Sequence, residues 1–457
     1  MRNLYETFHK HVIHPLWTWK DGEYNAPYVK EFERTQYLGL EEIRDLQFQR
    51  LEKLVRESYA FCPFYKERWD EHGFHPDQLK SLEDTHLIPM VSKLDVQQYA
   101  DRMIRTDKTR DDLVRNMTGG STGEPVVFYM DPERVATRAA STVRHNRWAG
   151  VDVCTMRASL WGHPRDIRSF SGEIWDAVRE KWIYRNMFLD TSSIDEQKMR
   201  EFFEALDRER PEAFITYANS MYLFTRFMED RGLKLGYTPK AIISTAEMLE
   251  DSRREAIERV MGCPVFNRYG SRETSVIASE CDRHDGMHVN AEALLLETVK
   301  DGRQVAPGEL GEVVITDLLN YGMPLIRYRI RDVATTVEGV CACGRGLPRI
   351  KLSGGRVTDF LVTPSGKIVS GASMTIFLTA NAPNVQRMQM YQARPELVEF
   401  RVVRGEGYTV DTDDYIRSEA AKYLGGDVEA VIRYVDEIEP AESGKLLYCI
   451  SEVSPFL

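Results

Sequence analysis

An alternation of strand-like and helix-like segments through the middle of the chain constrains its fold more than any other feature. Short apolar runs recur at "ASLWG" (158–162), "PEAFITYA" (211–218), "AIISTAEML" (241–249) and "CPVFNRYG" (263–270). They have the length and β-branched content of buried strands. Amphipathic stretches of helical period lie between them. In "TSSIDEQKMREFFEAL" (191–206), Ser193 and Glu196 fit a capping box, and "EDSRREAIERVMG" (250–262) closes on Gly262 as a C-cap. Strands alternating with helices of this length predict an α/β fold whose sheet is at least partly parallel. Further on, "ALLLETV" (293–299), "GELGEVVITDL" (308–318) and "PLIRYRIRDVATTV" (324–337) read as antiparallel strands.

The flanks differ from this middle. The first hundred residues read as helical and polar, with Ile43, Leu46, Leu51, Leu54 and Val55 at helical spacing. The last hundred read as a smaller α+β unit. There "FLVTPSGKIVSG" (360–371) is a hairpin turning at Pro364–Gly366, followed by strands from 397 and 428 and a helix from 413. The glycines of "SGGRVTDF" (353–360) permit a hinge between the two parts. The expected organisation is residues 1–105 as the helical part of a large domain, 106–355 as its α/β core, and 356–457 as a mobile C-terminal domain.

Composition narrows the function classes. No apolar run approaches the ~18 residues of a membrane span, and the first twenty residues lack a signal-peptide core, so a cytoplasmic protein is expected. A net charge of −11 argues against nucleic acid as a partner. Any anionic ligand must be gripped by a local cluster of donors. Seven cysteines, an odd number in a long chain, argue against a disulfide framework.

Several short motifs carry chemistry. "NMTGGSTGEPVVFYMD" (116–131) is a glycine- and hydroxyl-rich loop whose backbone N–H groups can converge on an anion. It lacks the Gly-Lys-Ser/Thr of a Walker loop and feeds a strand, and taken alone it is weak evidence against the plainer reading of a hairpin turn. "YGSRE" (269–273) and "RYRIRD" (327–332) each read as the end of a strand, "GGRVTD" (354–359) falls at the proposed hinge, and Lys445 lies in a glycine turn. Separately, Cys281 and His288 in "ECDRHDGMH" precede Cys341 and Cys343 in "CACGR". Three thiols and an imidazole suit a tetrahedral zinc ion, with His284 as a rival ligand and reduced, buried cysteines as the alternative. "HKHVIH" (9–14) reads as an ordinary helix start.

Together and in this order, these motifs resemble the adenylate-forming superfamily of acyl-CoA synthetases and ligases, most of all its phenylacetate–CoA ligase-like branch. "FCPFYKERW" (61–69), "MPLIRYRIRD" (323–332) and "CACGR" carry the resemblance to that branch. It implies a large multi-subdomain adenylation domain with mixed sheets flanked by helices, and a small α+β domain on a hinge. It also implies two half-reactions. A carboxylate attacks the α-phosphate of ATP, giving an acyl-adenylate and pyrophosphate, and a thiol, usually of coenzyme A, then displaces AMP.

The resemblance assigns roles residue by residue. Thr118, Gly119, Gly120, Ser121, Thr122 and Gly123 match the phosphate loop, although Glu124 stands where many members carry lysine. Ser244, Thr245, Ala246 and Glu247 match the segment along adenine. Tyr269, with Gly270, matches the residue packing on adenine, and Glu273 the Mg²⁺ carboxylate. Asp332 matches the acceptor of the ribose hydroxyls, Arg356 an arginine near ribose and phosphate, and Asp359 the hinge residue. Lys445 matches the catalytic lysine of the first half-reaction, without the basic residue that usually follows it. Some relatives hold a structural metal where Cys281, His288, Cys341 and Cys343 fall.

The expected function is therefore ATP- and Mg²⁺-dependent activation of a small aryl or arylalkyl acid and its transfer to CoA, by a monomer or homodimer. Trp148, Trp161, Tyr217 and Tyr222 are candidates for an apolar acid pocket or for the core. One alternative keeps the adenylation but transfers to a carrier-protein thiol or an amine. Another is a non-catalytic nucleotide-binding scaffold, against which the joint presence of Glu273, Asp332, Arg356 and Lys445 argues.

Overall fold

The structure, a computed structural model, describes residues 2–21, 24–117, 126–161, 179–190, 196–356, 360–366, 368–439 and 447–453. The first hundred residues are helical, as their periodicity predicts. Helices Arg2–Phe8 and His14–Lys20 are joined through a π-turn, and Ala26–Thr35, Leu40–Phe61, Pro63–Glu71 and Lys93–Met103 follow. The longest starts where Glu42 accepts a bond from the Gly39 N–H, and it buries Ile43, Leu51, Leu54 and Val55. Cys62 is extended, and Pro63 opens the next helix at a position that needs no N–H.

A short ribbon comes next, β1 (Val114–Met117) and β2 (Val127–Met130), antiparallel with Met117 opposite Val127. The main sheet then begins with β3 (Arg157–Trp161), β4 (Asn186–Asp190), β5 (Ala213–Tyr217), β6 (Ala241–Thr245) and β7 (Val265–Ser271). These five are parallel, in the order β4-β3-β5-β6-β7. The chain continues through β8 (Ser275–Glu280), β9 (Met287–Val289), β10 (Leu294–Lys300), β11 (Arg303–Gln304), β12 (Gly311–Asp317), β13 (Tyr328–Val337) and β14 (Arg349–Arg356). They extend the same sheet antiparallel from β7 in the order β8-β9-β14-β13-β12-β10-β11. All residues of β6 and β12 are buried, and the apolar stretches Ala241–Ile243 and Val313–Ile315 fill most of each strand.

Helices cover both faces of the parallel half. On one face, Phe202, Leu206, Met221, Phe224, Ile257 and Met261 from three helices meet Phe214 and Ile242. Each such buried side chain contributes about 1.5–3 kcal/mol. On the other, Ala149 and Val151, just after helix Pro132–Trp148, pack on Ala213, Ala241, Ile243 and Phe266. Gly262 ends its helix with φ of 69°, the left-handed conformation expected of a C-cap glycine.

The C-terminal part has its own core, including Leu378, Met390, Phe400 and Ile416. Its hairpin β15 (Phe360–Val362) and β16 (Ile368–Ser370) turns where expected, with the Gly366 N–H donating to the Thr363 carbonyl. Strands β17 (Val385–Arg394), β18 (Leu397–Arg404), β19 (Glu429–Tyr434) and β20 (Cys449–Ser451) form a sheet in the order β19-β18-β17-β20. Among the described residues no helix is long and apolar enough to cross a membrane.

One local expectation changes. "RYRIRD" opens β13 rather than ending a strand, because Val333, Thr335, Thr336 and Val337, all β-branched, carry the strand onward. Gly354 and Gly355 belong to the end of β14, and residues 357–359 of the proposed hinge lie outside the described residues. The capping box at Ser193 and the hinge residue Asp359 lie outside the described residues.

Candidate active site

In an open parallel sheet, loops leaving the carboxyl ends of the strands form the natural binding crevice. The sheet register puts the Ser244–Glu247 segment and the end of β7, from Tyr269 to Glu273, there. Tyr217 at the end of β5 is level with Thr245 on β6, and Thr245 with Arg268 on β7. Ser244 is fully buried, and its hydroxyl has no hydrogen-bond partner among the described residues. The chain then turns sharply at Ala246, which takes a φ of +65°, rare for a residue with a side chain. Glu247 follows close enough that its charge adds to burial in pushing the Tyr217 phenol up to about 12.

Tyr269 and Asp332, separated by more than sixty residues in sequence, meet directly: the tyrosine hydroxyl donates to Asp332 Oδ2 at 2.5 Å. Two backbone irregularities produce the contact. β7 and β8 lose register between Tyr269 and Gly270, and β13 bulges beside Asp332, where Arg331 has a φ of +66°. A bulge re-aims side chains locally, which suits a carboxylate in mid-strand. Gly270 is required because a Cβ there would lie 2.6 Å from the Ser275 carbonyl oxygen. Asp332 also stands opposite Arg356 across β13 and β14.

Glu273 is half-buried just beyond β7, and the Tyr328 hydroxyl donates to its Oε1 at 3.1 Å. Burial and the Glu273 carboxylate push the Tyr328 phenol well above its ordinary range, so it remains a donor. Among the described residues no hydrogen bond reaches Oε2 of Glu273, an oxygen of the kind hard cations prefer. Arg138, from helix Pro132–Trp148, holds the turn from below by donating to the Arg272 carbonyl at 2.8 Å. The motifs pass over Tyr328 and Arg138. Tyr328 lies within "RYRIRD" and was legible there, whereas Arg138 sits on a helix with no motif.

The aromatic candidates separate. Trp161 and Tyr217, at the ends of adjacent strands, have ring centroids 4.3 Å apart. Trp148 instead packs on His145 and His288, with centroids at 4.2 and 5.5 Å, and belongs to the core. Tyr222 is half-buried in the helical layer. Residues 118–123 and Lys445 lie outside the described residues, as does the side chain of Arg356.

The second constellation converges. The ligand atoms of Cys281, His288, Cys341 and Cys343 lie within 4.8 Å of one another. The Cys281 and Cys341 sulfurs are 3.8 Å apart, the separation of about 3.8 Å that two thiolates on one tetrahedral zinc require at Zn–S bonds of about 2.3 Å. His288 Nδ1 faces the Leu347 carbonyl at 3.2 Å, and Nε2 faces Cys343 Sγ at 3.3 Å. Burial holds the imidazole neutral, with its pKa pushed down to about 4, the form a ligand needs. His284 instead pairs with Glu280 at 3.0 Å and is not part of the group.

The CapK C-terminal domain family matches residues 361–452. Over nearly its whole length the chain is similar to protein CapK of Staphylococcus aureus, with 22% identity over 434 residues, covering 94% of this chain and 93% of that protein. It is 27% identical over 334 residues to the phenylacetate-coenzyme A ligase of Pseudomonas putida, covering 71% and 73%. Among solved structures it superposes on 2-hydroxyisobutyryl-CoA ligase in the postadenylation state with 2-HIB-AMP, with a TM-score of 0.69, 20% identity and 92% of both chains covered. That likeness shows the fold. In sequence the chain is similar to CapK and to phenylacetate–CoA ligases, and so resembles that branch of the adenylate-forming superfamily.

Proposed function

We propose that this chain is an AMP-forming acid–thiol ligase. It activates a small carboxylic acid with ATP as the acyl-adenylate and passes the acyl group to coenzyme A. The meeting of Tyr269, Asp332 and the Arg356 strand at the carboxyl edge of the sheet carries this reading. Asp332, oriented by Tyr269, has the acceptor oxygens that a ribose diol needs. Glu273, steadied by Tyr328, fits a Mg²⁺ ligand, and Mg²⁺ supplies charge neutralisation on phosphate oxygens. Residues 118–123 offer backbone donors to the leaving phosphates, and Lys445 a mobile cation for the charge that develops on the α-phosphate. Trp161 and Tyr217 favour an acid with an aromatic or other flat apolar body. Cys281, His288, Cys341 and Cys343 fit a structural zinc, because four protein ligands leave no open position for catalysis.

A second acceptor stays in view for one reason. Residues 361–452, the part that would present the acceptor, match the CapK C-terminal family. A carrier-protein thiol or an amine is then the alternative to CoA. Acid-dependent pyrophosphate exchange over a panel of acids tests the first half-reaction, and repeating the active acids with and without CoA tests the second. Exchange that is active while CoA gives no thioester assigns the acceptor elsewhere. Silence with every acid refutes the ligase reading.

A further inference from the structure

The helical segment that opens the chain buries one face and leaves the other bare. Tyr5, His9 and Trp17 look inward. The Tyr5 ring meets Trp182 edge-on with centroids 5.6 Å apart, His9 Nε2 faces the Ile183 carbonyl at 2.8 Å, and Trp17 Nε1 donates to the Tyr184 hydroxyl at 3.1 Å. Charges beside that seam are held within the chain, Lys10 by Asp152 at 2.6 Å and Glu6 by Arg185 at 3.8 Å. The opposite face carries Leu4, Phe8, Val12, Leu16 and Trp19, which are 77, 54, 37, 61 and 72% exposed. Trp182, against Tyr5, is half exposed as well.

In a regular α-helix a row of residues four apart winds around the axis by about 40° per step. From Leu4 to Leu16 the row would drift by about 120° and leave the face it began on. The π-turn His9–Ile13 prevents this. The His14 N–H donates to the His9 carbonyl, five residues back, so this turn takes up more residues than an α-turn and cancels the drift. The result is a straight apolar ridge nearly as long as the segment, with no charged side chain in it.

With Trp182 the ridge presents on the order of 700 Å² of apolar surface, close to the ~800 Å² that each partner contributes to a standard protein interface. It is also nearly symmetric about Val12. Phe8 and Leu16 lie four residues to either side, and Leu4 and Trp19 eight and seven. Laid antiparallel on a copy of itself, the ridge sets Val12 on Val12, each Phe8 on a Leu16 and each Leu4 against a Trp19. Every aromatic ring then meets an aliphatic chain, the self-complementarity that a twofold interface needs. An anionic membrane fits worse. Helices that lie on one keep lysines and arginines free on a polar face, whereas here Lys10 is already paired, the inward face is packed on residues 182–184, and the chain carries a net charge of −11. We propose that the ridge from Leu4 to Trp19 seats a second copy of this chain, in a twofold dimer joined through antiparallel opening helices. The surface is independent of the reaction proposed above.

Sedimentation equilibrium on the full chain tests this. The wild type is expected to be a dimer at tens of micromolar. Val12→Asp, which sets two carboxylates face to face, should be a monomer with an unchanged far-UV circular-dichroism spectrum, and Val12→Lys should be monomeric for the same reason. An equimolar mixture of the two should return to dimer, since position 12 meets itself only in a twofold arrangement. Phe8→Asp and Leu16→Lys should each be monomeric, and the double variant dimeric, because Phe8 faces Leu16 of the partner subunit. If the charged variants are insoluble, Leu16→Ser takes their place and should weaken the dimer at least about tenfold. A wild type that stays monomeric at tens of micromolar, a dimer that survives Val12→Asp, a mixture that stays monomeric, or a dimer that Leu16→Ser leaves as tight overturns the proposal. So does a monomer that binds phosphatidylserine or phosphatidylcholine vesicles and loses that binding in Val12→Asp, which would assign the ridge to a membrane.

Discussion

At the residue scale, the Tyr269–Asp332 contact separates a residue that binds from one that only packs. A hydrogen bond to a charged group is worth about 1.5–3 kcal/mol. Tyr269→Phe keeps the ring and frees Asp332 to rotate, so the KM for ATP should rise roughly tenfold with kcat little altered. Steady-state kinetics at saturating acid check this, and an unchanged KM would reduce Tyr269 to a packing residue. Lys445→Ala belongs to the other kind. A cation that meets charge only in the transition state should, on removal, lower exchange by roughly 10²–10³-fold with no change in Tm. Exchange at the wild-type rate would exclude Lys445 from the chemistry. Both residues were legible in sequence, but only as motif positions. Nothing in "YGSRE" says that its tyrosine hydroxyl would reach Asp332, because that bond depends on two bulges, and bulges leave no sequence mark beyond Gly270.

At the element scale, the Cys281, His288, Cys341 and Cys343 cluster shows how strands far apart in sequence become one unit. Cys281 follows β8, His288 lies on β9, and Cys341 and Cys343 sit in the loop before β14, which pairs with β9 at His288 and Arg349. A metal there would clasp that loop to the sheet. Gly346 beside it touches the N-terminal helical layer so closely that a Cβ would fall 1.8 Å from the Leu38 carbonyl oxygen. Cys341→Ser is expected to lower bound zinc to well under one equivalent and to reduce the Tm by several degrees, and chelation of the wild-type protein should do the same. Freshly purified protein without zinc, yet with the same Tm after chelation, would leave three reduced cysteines and a histidine as mere core. The ligand types were readable from sequence, which put His288 first and left His284 as a rival. Only the fold shows why the rival stands aside: His284 is paired with Glu280.

At the scale of the whole molecule, burial of neutral histidines makes stability depend on pH. Burial pushes His14 down to about 4 and His145 well below its ordinary value. The unfolded chain binds protons near pH 6.5 where the folded protein does not, so stability is complete above that pH and lost as pH falls toward 4. His14 alone corresponds to about 1–2 kcal/mol between pH 7 and 5. Thermal unfolding should therefore show a clearly lower Tm at pH 5 than at pH 7, and a flat profile would mean that these imidazoles are hydrated in solution. The sequence by itself determined the α/β class, the helical start, the antiparallel continuation and the separate α+β end, because each follows from local periodicity and turn chemistry. It also determined which residue types stand ready for a nucleotide and a metal. Only the tertiary structure decided that parallel and antiparallel strands share one sheet, and that Trp148 belongs to the core while Trp161 faces Tyr217. Those outcomes depend on which distant segments come to lie side by side, and no local pattern encodes the partner of a side chain.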